Sequence, residues 1–170
     1  MDIKTTIRDI PDFPKEGIIF KDITTLLKDP EAFREAINMM VDYYKNYDFD
    51  YIVGIEARGF IIGAPMAMAM GKGFIPIRKP GKLPGETISM SYDLEYGSNK
   101  IEIHSDAIEE GDKVLIIDDL LATGGTVAAA VKLVKELGGE LQGIGFLLEL
   151  PFLNGRDKLK GENVFALLKE

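Results

Sequence analysis

An α/β fold, a mostly parallel sheet flanked by helices, is predicted by three features of the sequence. Short apolar runs of strand length recur along the chain, stretches of helical periodicity lie between them, and glycine or proline marks the joins. Asp29-Pro30-Glu31 reads as a helix start, with an N-cap, a proline at the first helical position and an early acid. Phe33, Ile37, Met40, Val41 and Tyr44 follow at helical spacing, so one face of that helix is buried. Tyr51-Ile-Val-Gly-Ile55 is a short buried strand, and Glu56-Ala-Arg-Gly59 leads from it into an apolar helix over 60–70, ended by Gly71 and Gly73. Phe74-Ile-Pro-Ile77 is a further strand-like run that opens into a basic, glycine- and proline-rich loop over 78–86. Residues 89–95 and 100–104 predict two strands around a turn at 96–99. A strand at 114–117 precedes a helix that turns Val127, Val131, Val134 and Leu137 inward and stops at Gly138-Gly139. Strands near 144–148 and 164–168 complete the pattern. Alternating strands and helices place helices on both sheet faces. Ligands of such sheets bind beyond the strand carboxyl ends, where 56–59, 78–86 and 118–126 converge.

Composition narrows the function. The 170 residues are 46% hydrophobic and 28% charged, values of a globular chain long enough for one domain. There is no cysteine, so disulfides and thiolate metal sites are excluded and a reducing compartment fits. No apolar run reaches the length of a membrane span and Met1-Asp-Ile-Lys-Thr5 lacks a signal-peptide pattern, so no membrane association and a cytoplasmic location are expected. A net charge of −8 argues against a nucleic-acid partner. It also means that any phosphate ligand must be met by a local positive cluster.

The run Val114-Leu-Ile-Ile-Asp-Asp-Leu-Leu-Ala-Thr-Gly-Gly-Thr126 has the layout of a site for a phosphorylated sugar. Its glycines allow a tight turn that brings backbone N–H groups against an anion, and the positive end of the following helix favours phosphate there. Thr123 and Thr126 add hydroxyl donors. The lysine of a Walker loop and the spacing of a dinucleotide fingerprint are both missing. Asp118 and Asp119 would repel phosphate; they suit ribose hydroxyls or a divalent cation. Arg58 either forks onto phosphate oxygens or pairs with Glu56 at the surface. Arg78, Lys79 and Lys82 form the densest positive cluster, either a solvated loop or a neutraliser of phosphate charge in an otherwise acidic protein. Glu95 is either a solvated edge-strand carboxylate or a group that stabilises charge or takes a proton. His104, the only histidine, alternates with Ile101 and Ile103 and reads as a surface or edge residue, while the methionines at 39–40 and 66–70 read as core filler.

Taken together, these stretches resemble the type I phosphoribosyltransferases, and within them the adenine-specific group, from about residue 7 to the C-terminus. Residues 114–126 resemble that family's phosphoribosyl pyrophosphate (PRPP) motif, and Glu56-Ala-Arg-Gly59 its pyrophosphate-binding loop, where the peptide between the first two residues is often cis. Arg78-Lys-Pro-Gly-Lys-Leu-Pro-Gly85 with Leu94-Glu-Tyr-Gly97 is similar to the catalytic flexible loop. Ile10-Pro-Asp-Phe-Pro14 with Gly17-Ile-Ile-Phe-Lys-Asp-Ile23 is similar to the adenine-recognising hood.

The resemblance implies the type I phosphoribosyltransferase fold in a single domain over 1–170, with a small N-terminal hood over roughly 1–28 and a flexible catalytic loop over roughly 78–97. It implies transfer of the phosphoribosyl group of PRPP to adenine, giving AMP and pyrophosphate. By position, Ala122, Thr123, Gly124, Gly125 and Thr126 would cradle the 5′-phosphate, and Asp118 and Asp119 would hold the ribose hydroxyls. Arg58, Arg78, Lys79 and Lys82 would face the pyrophosphate, and Glu95 would act at the reacting centre. Ile19 and Phe20 would sandwich the purine, with the backbone at Lys21 bonding its edge. Magnesium is the implied cofactor, held mainly through PRPP with no direct metal site on the protein, and a homodimer is the implied assembly. Two positions depart from the common pattern: many members carry arginine in place of Lys21 and serine in place of Ala57. Ala122 stands where hypoxanthine-guanine enzymes place an aspartate, which argues against a 6-oxopurine substrate, although orotate enzymes also lack that acid. A PRPP-sensing regulator without transferase activity is the rival of another class; it would need a nucleic-acid surface that the acidic composition does not offer.

Overall fold

In the computed structural model, which describes residues 1–94 and 96–170, the chain opens with an antiparallel hairpin of β1 (Arg8–Pro11) and β2 (Ile19–Asp22). Two helices follow, α1 (Thr24–Lys28) and α2 (Pro30–Tyr44). Asp29 caps α2 as its sequence suggests, its carboxylate accepting from the N–H groups of Glu31 (3.0 Å) and Ala32 (3.2 Å). Then come β3 (Tyr51–Ile55), α3 (Arg58–Met70), β4 (Gly73–Ile77), the ribbon β5 (Thr87–Asp93) and β6 (Ser98–His104), β7 (Lys113–Leu121), α4 (Gly125–Glu136), β8 (Glu140–Glu149) and β9 (Val164–Lys169).

The main sheet has the order β4-β3-β7-β8-β9 with every pair parallel. Neighbouring residues on each strand feed opposite cores. Val53, Ile116 and Ile144 pack with Val127, Ala130 and Val134 of α4, whereas Ile52, Leu115 and Leu147 pack with Met40 of α2 and Ile62 and Met66 of α3. Each such aliphatic side chain contributes about 1.5–3 kcal/mol on burial, which is why these strands read as unbroken apolar runs. Among the described residues no helix is long and apolar enough to cross a membrane.

Three expectations are corrected. β7 does not stop at residue 117: pairing with the ten-residue β8 continues to Leu121↔Glu149, so Asp118 and Asp119 lie within the strand. The ribbon turns earlier than expected: Asp93 pairs with Ser98, and Leu94 N–H donates to Gly97 O (2.9 Å). Gly97 supplies the left-handed residue (φ +87°) that closes it, so the turn ends at this glycine instead of beginning before it. The methionines are divided by helix periodicity: Met40 and Met66 are buried, but Met39 and Met68 project outward, the latter 83% exposed. His104 sits half-buried at the end of β6, at a ribbon edge as its strand pattern suggests.

Candidate active site

The cleft forms where β3 and β4 end beside β7, which runs on past them. Gly59 lets the first turn of α3 approach β7: a Cβ there would stand 2.9 Å from Asp118 Oδ1 and 3.1 Å from Ile117 O. The Glu56–Ala57 peptide just before this turn is cis. Glu56 faces the start of the basic loop, its Oε1 accepting from Arg78 Nε (3.1 Å) and Lys79 N–H (3.0 Å). Burial raises its pKa, but the Lys79 N–H and the Arg78 guanidinium outweigh it and hold the carboxyl below its ordinary value. Glu56 therefore pairs with Arg78, and Arg58 is free to turn elsewhere. Its Nε lies 2.7 Å from Asp119 Oδ2, and its guanidinium carbon stands 5.8 Å from the centre of the Phe20 ring.

A cavity of about 230 Å³ occupies this cleft, lined among others by Glu56, Arg58, Arg78, Lys79, Asp118 and Asp119. Tyr92 of the ribbon and Leu120 of β7 complete its walls. A smaller cavity of about 90 Å³ adjoins it and is lined by Asp118 and the whole of 120–127. The two share Asp118, Leu120 and Thr126, so they form one continuous site with a wide and a narrow end. Asp118 Oδ1 accepts from Asp119 N–H (2.8 Å). Burial first, and the neighbouring Asp119 charge second, push the Asp118 carboxyl well above its ordinary range.

The narrow end is shaped by two glycines in contact. Gly124 adopts φ +87° ahead of α4, and a Cβ on it would fall 2.5 Å from Gly155 O. A Cβ on Gly155 would in turn fall 2.5 Å from Ala122 O. Gly155 opens a 3-10 turn (Gly155–Leu159) that Arg156 fastens to the end of β8, donating to both Glu149 oxygens (2.8 and 3.0 Å) and to Val164 O (3.2 Å).

The structure thus gathers Ala122, Thr123, Gly124, Gly125 and Thr126 at the narrow end, and Asp118, Asp119, Arg58, Arg78 and Lys79 around the wide one. Lys82 does not line either cavity; it is exposed. In the hood, Phe20 turns toward Arg58 while Ile19, its neighbour on β2, is 58% exposed. Adjacent strand residues face opposite ways, so in this conformation the two do not form facing walls of one slot. The Lys21 ammonium binds Asp9 of β1 (2.7 Å) and approaches Glu170 beyond β9 (3.7 Å), which directs its side chain to these two acids. Glu95 lies outside the described residues. Glu56 as the partner of Arg78, Tyr92, Leu120 and the Gly155–Arg156 support escape the sequence reading. Only the carboxylate of the Glu-Ala-Arg-Gly turn carried a signal, and it pointed to the wrong arginine.

The phosphoribosyl transferase domain family model matches residues 22–158. An adenine phosphoribosyltransferase from Halothermothrix orenii is 69% identical over 170 residues, covering 100% of both chains. Among solved structures, the adenine phosphoribosyltransferase of Thermoanaerobacter pseudethanolicus superposes with a TM-score of 0.97 at 56% identity, covering 99% of this chain and 98% of that one. The Saccharomyces cerevisiae enzyme, complexed with an imino-altritol bisphosphate and adenine, gives 0.92 at 43% identity, covering 98% and 97%.

Proposed function

The chain belongs to the adenine phosphoribosyltransferase family, and from that premise we propose that it transfers the 5-phosphoribosyl group of PRPP to adenine, releasing pyrophosphate and AMP. The observation that carries this reading is the two-ended site: a glycine-turn anion pocket runs directly into a chamber bearing three carboxylates, one of them (Glu56) already paired with Arg78, and three cationic side chains. PRPP has that same distribution of groups, a phosphate, then ribose hydroxyls, then a diphosphate.

The roles follow from charge and reach. Backbone N–H groups over 123–126 and the Thr123 and Thr126 hydroxyls receive the 5′-phosphate at the positive end of α4. Asp118 and Asp119 accept from the ribose hydroxyls, and donors arriving there favour the ionised form of a carboxyl that burial has pushed upward. Arg58, Arg78 and Lys79 take up the charge of the diphosphate as it leaves, and Lys82 is the loop cation available to join them. The bond from C1′ to the diphosphate oxygen breaks with its electron pair leaving on pyrophosphate. Adenine N9 forms the new bond to C1′ and passes its proton to Glu95 or to an oxygen of the departing pyrophosphate. Glu95 acts at this centre, as a base or by stabilising the positive charge that develops on the ribose. Adenine lies under the hood, with Phe20 as its apolar contact and the Lys21 backbone at its polar edge. A closed site keeps water from the reactive anomeric carbon.

Magnesium is the cofactor in this reading. Asp118 and Asp119 are hard oxygen donors beside the diphosphate chamber, and a magnesium ion that keeps its waters and phosphate oxygens needs only one or two carboxylates. When bound it neutralises charge on the departing pyrophosphate. We further take residues 1–170 as one catalytic domain that works as a cytoplasmic homodimer. The exposed apolar side chains Ile61 and Met68 on α3 support an interface on that helix.

Phosphorus NMR of the protein with PRPP, magnesium and adenine tests the reading. AMP and pyrophosphate are expected in equal amounts, and binding of PRPP without AMP formation would overturn it.

A further inference from the structure

One strand ties down the basic loop along its length. Arg78 and Glu102 of β6 exchange both backbone hydrogen bonds (3.0 and 2.8 Å). The Glu102 carboxylate accepts from Gly81 N–H through Oε1 (3.0 Å) and from the Thr87 hydroxyl through Oε2 (3.1 Å). Two residues on, His104 Nε2 accepts from Gly85 N–H at 3.2 Å. Ser105 then donates to Glu86 O from both its N–H (2.9 Å) and its hydroxyl (3.2 Å). Glu102 and His104 stand two positions apart on one strand and so share a face.

The contact at Gly85 is close as well as polar. A Cβ there would stand 3.0 Å from His104 Cδ2 and 3.1 Å from Nε2, so the loop backbone lies directly on the edge of the ring. For Nε2 to accept, the imidazole proton must sit on Nδ1, so this one contact selects the tautomer. The loop that holds Arg78 and Lys79 at the cleft is thereby stitched at both ends to the β5–β6 ribbon.

We propose that His104, together with Glu102, is a positioning residue that locks loop 78–86 to the β5–β6 ribbon, so that the cleft-lining cations Arg78 and Lys79 move with the ribbon as one body. This rests on the phosphoribosyl-transfer reading for its kinetic consequence, although the lock itself is a property of the free protein. Without it, residues 79–86 sample many backbone states, and PRPP binding must bear the cost of ordering them. With it, the cations arrive already placed.

Kinetics and amide exchange on the same variants test the lock. His104→Ala should raise the KM for PRPP about three- to tenfold, the factor expected for one lost hydrogen bond, while the KM for adenine stays within about twofold. His104→Gln, whose side-chain carbonyl can accept from Gly85 N–H, should recover most of the loss. Gly85→Ala should give a similar loss, and combining it with His104→Ala should add little, because both break one contact. Hydrogen exchange should show faster amides over 81–86 in His104→Ala and unchanged ones over 113–121. An unchanged PRPP KM, equal rises for both substrates, or unaltered exchange at Gly85 would each overturn the proposal. The exchange readout needs no turnover, so a wild-type protein that makes no AMP would sink the transferase reading and leave the lock to be decided by exchange alone.

Discussion

Arg58 and Asp119 hold each other across the mouth of the cleft, guanidinium Nε to carboxylate Oδ2 at 2.7 Å. One partner comes from the first turn of α3 and the other from β7, so the pair joins two of the elements that wall the site. Each is assigned to a different part of PRPP, Asp119 to the ribose and Arg58 to the pyrophosphate. On that assignment substrate exchanges this contact for two new ones, and Asp119, largely shielded from solvent, is held by the half-exposed Arg58 close to where both would be used.

Asp119→Asn removes the negative charge while keeping the shape. The charge-assisted hydrogen bonds it would give to ribose hydroxyls are worth roughly 1.5–3 kcal/mol. The Kd for PRPP, measured by titration calorimetry in magnesium, is expected to rise about tenfold or more. An unaltered affinity would move the ribose contact to other residues.

Glu95→Ala separates binding from chemistry. PRPP affinity is expected to stay near wild type while kcat falls roughly 10²–10⁴-fold, the usual reach of a proton-transfer group. Equal turnover in the two proteins would remove Glu95 from the mechanism.

Gly155→Ala examines a support that touches no substrate. The added methyl meets Ala122 O at 2.5 Å and Leu121 Cδ1 at 2.8 Å, so the phosphate turn must shift. Overpacking of this kind costs about 1–3 kcal/mol, and both a lower Tm and weaker PRPP binding are expected. A variant with wild-type PRPP affinity would show that the turn adapts without this contact.

The hood carries a pH dependence of its own. Asp22 is pushed down to about 2, first by the Thr24 hydroxyl, then by Arg8 and the Thr24 N–H, all of which bind its ionised form. Its folded pKa lies below its unfolded one, so its stabilising contribution is complete above about pH 4 and is lost as pH falls toward 2. Thermal unfolding followed from neutral pH down through this window should show a steeper loss of Tm in wild type than in Asp22→Asn. Parallel curves would place the acid sensitivity elsewhere.

Much of the fold was legible because parallel strands buried on both faces must be apolar throughout, and runs such as 51–55 and 114–117 have no other use. The turn at Gly124 was legible for the same kind of reason, since few side chains tolerate its φ of +87° or the 2.5 Å approach of Gly155 O to a Cβ there. The end of β7 was hidden because Asp118-Asp119 looks like the start of a loop, whereas β8 carries the pairing onward to Leu121. Partner choice was hidden too. Glu56 and Arg58 are two apart in sequence, yet one precedes α3 and the other lies in its first turn, and they meet different neighbours, Arg78 and Asp119. The ties of Glu102 and His104 to the basic loop span 19 to 21 residues and leave no trace in local pattern.

Turnover by purified protein with PRPP and magnesium, offered adenine beside hypoxanthine, guanine, xanthine and orotate, tests the central claim most directly. AMP formed from adenine, with no nucleotide from the other four bases, is the predicted result. Efficient conversion of any of those four, or of none of the five bases, would contradict it.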